Sequence, residues 1–308
     1  MPASNTPTHR KTHSPLAPKY WPSWVGLTIL RGLHLLPFSW QLQIGRILGR
    51  GARHLLKSRA KIARINIDLC FPDLSKSERQ AMLHGHFEAI GMGLFESAMT
   101  WWGSDKRISA LGDIQGLEHL RSAAEKGQGV IFLTGHFSTM EIASTLVSIK
   151  HRISGMYRPM KNPIMDSIVR RSREQRSITL FQRDDIPTMI RCLKRGEAVW
   201  YGFDQNYGMK HSIFTPFFNI PAATITTTSR FAKMTNAVVI PFFPVRTANG
   251  RYHITIHPPL NHFPSGDVEQ DNIQLNQLLE QAILQAPEQY FWMHRRFKTR
   301  PDNIPSVY

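Results

Sequence analysis

From residue 128 onward the sequence predicts an α/β fold, a mainly parallel central sheet flanked by helices, and two observations carry that expectation. Five apolar runs have the length and the β-branched or aromatic content of strands: GVIFLTG (129–135), ISGMYR (153–158), AVWYGF (198–203), AVVIPFFPVR (237–246) and RYHITIHP (251–258). Helical periodicity fills the gaps at about 141–150, 162–176, 186–195 and 222–235, and a last helix follows at about 268–286. Strands alternating with helices in this way build a parallel sheet with helices on its faces.

The elements before residue 128 are helical. Ser75-x-x-Glu78 is a capping box that opens a long helix through SKSERQAMLHGHFEAIGMGLFESAMTWW. Upstream, QLQIGRILGRGARHLLKSRAKIARIN (41–66) reads on a helical wheel as a basic amphipathic helix. Arg46, Arg50, Arg53, Lys57, Lys61 and Arg64 fall within roughly 80° of one another, and Ile44, Leu48, Leu55 and Ile62 lie opposite. Before it, WPSWVGLTILRGLHLLPFSW (21–40) is apolar apart from Arg31, His34 and small polar residues, with Trp21, Trp24 and Trp40 at its ends where interfacial anchors belong. A central arginine costs about 2.5 to 3.5 kcal/mol in a bilayer, so an interfacial anchor, a single span and a plain core helix all stay open. The expected organisation is a flexible polar N-terminus (1–18), a hydrophobic membrane anchor (19–40) and one catalytic domain (41–308).

Charge is the outlying bulk property. In 308 residues, 38 Lys and Arg stand against 22 Asp and Glu, a net +16 and a pI near 10.2. Residues 1–70 contribute 11 basic residues and one acid, Asp68, so 11 − 1 = +10 of the excess is local. A patch of that kind implies an anionic partner. Cys70 and Cys192 are far apart and lack metal-site spacing, which fits a reduced compartment better than a disulfide framework. No signal-peptide pattern opens the chain.

The chemistry concentrates in TGHFSTMEIAS (134–144), which follows an apolar strand. In parallel sheets, sites gather at the carboxyl ends of strands. Five residues apart on one helix, His136 and Glu141 would diverge by about 140°. With the strand ending near Gly135, His136 in the turn and Glu141 in the first turns of the next helix, they can converge. His136 then accepts a proton from a substrate hydroxyl, and Glu141 orients the imidazole and stabilises its charged form. Two other strand ends add polar groups, Arg158 in MYRPMKNP and Asp204 with Gln205 in YGFDQNYG. The near-duplicate GHFE at 85–88 lies inside helical periodicity, so His86 is expected to be structural. There is no nucleophile elbow, P-loop, H-E-x-x-H or complete G-x-G-x-x-G.

These residues resemble a known family. GVIFLTGHFSTMEIA is similar to the H-x4-(D/E) motif of glycerolipid and lipid A acyltransferases. ARINIDLCFPDLS, GMGLFESAMTWW, MYRPMKNPIMD, KRGEAVWYGFDQNYG, SIFTPFFNIPAATITTTSRFAKM and PEQYFWMHRRFKTRPDNIPSVY resemble the late acyltransferases of lipid A biosynthesis along nearly the whole chain. The resemblance implies transfer of a fatty acyl chain, lauroyl or similar, from acyl carrier protein to a hydroxyl on a Kdo-bearing lipid IVA, at the cytoplasmic face of a bacterial inner membrane. It implies that His136 and Glu141 are the catalytic pair and that Arg158 and Arg173 contact phosphate or sugar-acid groups. Asp204 resembles the acidic position of a later superfamily block, and is counted with the substrate-binding residues. No cofactor or metal is implied. HRRFKTRP near the end is expected to line the acceptor headgroup or the carrier's docking face, and the basic helix to meet anionic membrane lipids. A nucleic-acid-binding protein accounts for the charge but for neither the Trp-flanked segment nor the strand-end histidine, so no nucleic acid is expected as a partner. A glycerophospholipid or lysophospholipid acyltransferase is the nearer alternative.

Overall fold

The computed structural model describes residues 15–308, so most of the expected polar N-terminus, positions 1–14, lies outside the described residues. The segment expected to be one anchor is two helices. Helix α1 is Trp21–Leu33 and α2 is Phe38–Leu55, with Pro37 between them at φ −50°, ψ 138°. Proline lacks a backbone N–H and disfavours helical geometry in the residue before it, so the helix cannot run on. The 13 residues of α1 rise about 20 Å, short of a roughly 30 Å hydrocarbon core. Among the described residues, no helix is long and apolar enough to cross a membrane.

The expected continuous basic helix is also two pieces. Leu56 leaves helical geometry at ψ 50°, and helix α3, Lys57–Cys70, starts a new direction. Ile62 therefore packs inside on α3, whereas Leu48 and Leu55 on α2 are 49% and 83% exposed. The face that α2 buries is made of Gln41, Leu42, Gly45 and Gly49. It lies on the long helix α4, Lys76–Trp102, whose capping box between Ser75 and Glu78 forms as expected. The contact is backbone on backbone: a Cβ on Gly49 would sit 2.0 Å from the Phe87 carbonyl, and one on Gly91 2.0 Å from that of Gly45. Any larger side chain would force the helices apart.

After the short α5 (Asp105–Ser109) come β1 (Gly112–Gln115), α6 (Leu117–Glu125), β2 (Val130–Thr134), α7 (Met140–Lys150), β3 (Ile153–Tyr157) and α8 (Pro163–Glu174). They lead to β4 (Ser177–Gln182), α9 (Ile186–Lys194), β5 (Ala198–Gly202), β6 (Ser212–Phe217), β7 (Ile220–Ile225), α10 (Thr227–Thr235), β8 (Val238–Arg246), β9 (Tyr252–Ile256) and α11 (Val268–Gln285). The main sheet runs β1-β9-β8-β2-β5-β3-β4, and every neighbouring pair is parallel except β8 with β9. All five residues of β2 are buried, as a central strand covered on both faces requires. The five expected strands are β2, β3, β5, β8 and β9. The edge strands β1 and β4 escaped the sequence pattern, since their polar, alternating residues are those of half-exposed strands. The helix expected at 222–235 begins as strand β7, paired antiparallel with β6 in a separate hairpin, and becomes α10 only from Thr227.

Helix α4 is tied to the sheet by a buried ion pair. Glu96 accepts from the Arg246 guanidinium at the end of β8 and from the Tyr252 hydroxyl on β9 at 2.8 Å. His86, also on α4, is fully buried with Nδ1 3.3 Å from the Glu288 carbonyl, and burial pushes its pKa down to about 4. It is a packing residue, as expected.

Candidate active site

Strand β2 ends at Thr134 and α7 starts at Met140, so His136 lies in the connection at the carboxyl end of the central strand. The carboxylate that holds its imidazole is Asp204, just beyond the neighbouring strand β5. Nδ1 lies 2.5 Å from Asp204 Oδ1, and the His136 backbone N–H donates to Oδ2 at 2.9 Å. Parallel pairing of β2 with β5, Thr134 opposite Gly202, brings the two loops side by side. Asp204 is 2% exposed and His136 22%. Burial opposes ionisation of both groups. The opposite charge and hydrogen bond of the partner outweigh it, raising the His136 pKa above 6.5 and holding the Asp204 carboxyl well below the usual carboxylate range.

Two glycines leave room for this pair. A Cβ on Gly202 would lie 2.7 Å from His136 Cε1, and one on Gly135 would meet Leu279 at 2.4 Å. The Trp200 ring meets the imidazole edge to face, centroids 6.0 Å apart.

Glu141 is in the first turn of α7, as expected, but its partner is Arg173 on α8. Both guanidinium contacts are made, Nη2 to Oε2 at 2.5 Å and Nε to Oε1 at 3.1 Å. The expected orientation of the imidazole by Glu141 is thus replaced by two separate carboxylate pairs. The reason is topological: a turn after β2 aims His136 across at β5, while the start of α7 faces α8. The fork of Arg173 is occupied by Glu141. Arg158, just after β3, is exposed and has no ion pair among the described residues.

Between these helices and the sheet lies a pocket of about 80 Å³, lined among others by Met140, Glu141, Ile153, Met156, Leu180 and Trp200. Its walls are mostly apolar, and Trp200 links it to the imidazole. The hydroxyls of Thr134, Ser138 and Thr139 around His136 are buried without a partner among the described residues, and no side chain caps α7. The positive end of the helix begins at Met140, four residues after the histidine in the same connection.

A C-terminal segment, whose contacts with His136 and Asp204 the sequence does not reveal, closes the site from behind. Phe291 N–H donates to the His136 carbonyl at 2.9 Å, and Ser138 N–H donates to that of Gln289 at 2.7 Å. The Tyr290 hydroxyl donates to Asp204 Oδ2 at 2.9 Å. His294 Nε2 accepts from the Asn206 backbone N–H at 3.0 Å, and Thr299 donates to the Asn206 side chain at 2.9 Å. Residues 289–299 thus clamp the His136 and Asp204 loops together. Burial pushes the pKa of His294 down to about 4, so this second histidine is neutral and carries its proton on Nδ1. His294 and Thr299 belong to the basic HRRFKTRP motif, whose Arg296 is buried and donates to the Ala223 carbonyl and the Thr224 hydroxyl.

Residues 8–299 match the family model for bacterial lipid A biosynthesis acyltransferase. The chain belongs to that family. It is 38% identical over 295 residues to a lipid A biosynthesis lauroyltransferase of Escherichia coli (strain K12), covering 95% of this chain and 96% of the relative. It is 36% identical, with the same coverage, to the palmitoleoyltransferase of that organism. Identity to its myristoyltransferase is 30% over 288 residues, covering 92% and 88%. As an acyltransferase of this family it has relatives that carry three different acyl names, so family membership leaves chain length open.

Proposed function

We propose that this acyltransferase moves a fatty acyl chain, lauroyl or similar, from acyl carrier protein to a hydroxyl of a Kdo-bearing lipid IVA acceptor. His136 acts as general base on that hydroxyl. Asp204 takes the orienting role and stabilises the imidazolium as the proton arrives, and the imidazolium returns that proton to the carrier thiolate as the C–S bond breaks and the new ester C–O bond forms. The uncapped start of α7 faces the oxyanion that forms on the thioester carbonyl. Glu141, fixed by Arg173, belongs to the catalytic set as a lining residue of the apolar pocket, and the pocket receives a short part of the acyl chain. Arg158 is left free for an acceptor phosphate or sugar acid. No cofactor takes part.

The observation that carries the proposal is the strand-end imidazole held by Asp204 beside an apolar pocket, in a chain with no competing nucleophile motif. Residues 19–40 and the outer face of α2 act as an interfacial anchor for the acyltransferase domain, 41–308, at the cytoplasmic face of the bacterial inner membrane. Support comes from the exposed Trp21, Val25, Ile29, Trp40, Ile47 and Leu55, and from a groove lined by Arg53, Lys57, Lys61 and Arg64 with no acid. Such a surface suits anionic headgroups, each cation adding about 1 kcal/mol.

The test is an assay of the purified enzyme with a mixed-chain set of acyl carrier protein thioesters and either Kdo-bearing lipid IVA or a lysophospholipid, products weighed by mass spectrometry. Transfer to lipid IVA is expected. Transfer to the lysophospholipid alone would favour a phospholipid acyltransferase and overturn the acceptor assignment.

A further inference from the structure

A second and larger groove lies apart from the histidine. It runs between α1 and α8, over the end of α4, and encloses about 660 Å³, within the roughly 300–1,000 Å³ of small-molecule sites. Trp24 and Leu27 of α1, Trp101 and Trp102 of α4 and Ile164 and Ile168 of α8 give it apolar walls. A hydrogen bond from Asn162 Nδ2 to the Ser23 hydroxyl, 2.7 Å, fastens the two helices together. None of His136, Glu141, Arg173 or Asp204 lines it.

Its polar features point to one kind of occupant. Arg31 and Arg171 both line the groove, both are exposed, and neither has an acidic partner among the described residues. Arg31 stacks over the Trp102 ring at 5.7 Å and so is held at the groove. No acid lines the groove at all. The indole N–H of Trp101, a wall residue, is buried with no partner among the described residues, a cost an acceptor oxygen would remove. Finally, the groove is bounded by α1, whose outward face carries the exposed Trp21, Val25 and Ile29. An apolar slot with two unpaired guanidinium groups, walled by an apolar helix, fits an amphiphile with a phosphate head and a hydrocarbon tail.

We propose that this groove is a binding site for one anionic membrane phospholipid, with an acyl chain between α1 and α8 and its phosphate on Arg31 and Arg171. The bound lipid fastens the anchor helix to the catalytic body at the membrane surface. The groove shares only Ser172 with the pocket beside Trp200, and its test reads lipid retention and not turnover.

The full chain, purified in detergent, is incubated with phosphatidylglycerol or phosphatidylethanolamine and weighed intact by native mass spectrometry. One phosphatidylglycerol should be retained at least tenfold over phosphatidylethanolamine. The Arg31→Gln/Arg171→Gln variant should lose that preference, and Ile168→Trp, which fills the slot, should lose retention altogether. Thermal melting of the unaltered chain gives a readout that needs no variant: phosphatidylglycerol should raise Tm and phosphatidylethanolamine should not. Equal retention of the two lipids, or retention undiminished in Ile168→Trp, would overturn the site. A raised KM for the lipid IVA acceptor in the Arg31→Gln/Arg171→Gln variant, measured without phospholipid, would overturn it in favour of an acceptor chain.

Discussion

His136 and Asp204 are 68 positions apart in sequence and 2.5 Å apart in the structure, each at the end of one of two adjacent parallel strands. This pairing sets the sign of the pH dependence. A general base must be neutral, so activity should rise with pH through the His136 pKa, which lies above 6.5 because Asp204 outweighs the burial that opposes it. Asp204→Asn removes the charge and leaves the burial. The acid limb of kcat/KM should therefore move to lower pH, with turnover down at least about a hundredfold from lost orientation. An unmoved limb in the pH–rate profile would dissociate Asp204 from the base.

The same pair has a stability signature. The raised histidine contributes stability that is fully present below 6.5 and is lost as pH rises through its folded value. The depressed aspartate contributes stability that is present above 3.8 and is lost as pH falls through its folded value. Both contributions coexist between those limits. The drop in Tm caused by His136→Ala, followed by calorimetry across pH, should be largest in that window and smaller above it.

Glu141→Ala and Arg173→Ala break one bidentate pair whose members are 18% and 31% exposed. Each should lower turnover, Glu141→Ala by at least about a hundredfold if it belongs to the catalytic set. Because the partners share the contact, the double variant should lose less than the sum of the single losses. Normal turnover in Glu141→Ala would remove it from the catalytic set.

Tyr290→Phe takes one donor from Asp204 and leaves two contacts from His136. The less solvated carboxylate holds the imidazolium more tightly, so the acid limb should move to higher pH, opposite to Asp204→Asn. A lost hydrogen bond to a charged group costs about 1.5 to 3 kcal/mol, visible as a lower Tm.

Much of this was legible in the sequence because the signals are local. A buried strand that ends in Gly-His, with a helix start just beyond, is readable from GVIFLTGHFSTMEIA alone, and the structure has that turn. Arg158 and Asp204 at strand ends were equally readable. Which carboxylate faces the imidazole was not, because it depends on β5 lying next to β2, a pairing across 68 residues that no periodicity records. The Tyr290 clamp was hidden for the same reason. The break at Leu56 was hidden for another: residues 41–66 satisfy one helical wheel throughout, and only packing on α4 shows that the chain bends.

Gly49→Ala tests that packing. With the added carbon 2.0 Å from the Phe87 carbonyl, α2 and α4 must separate, and overpacking of this kind costs about 1 to 3 kcal/mol or more. A thermal melt unchanged from the parent would contradict the close crossing.

The glycine crossing of α2 and α4 has a practical corollary. Because this seam is made of backbone, the outward Ile47, Leu48 and Leu55 contribute little to holding the fold together. The outward apolar face of α2 and its packing seam thus draw on different residues of one helix. Polar replacements at those three leucine and isoleucine positions would make the protein easier to handle in water without rebuilding its interior, and the proposed membrane attachment could be graded one side chain at a time.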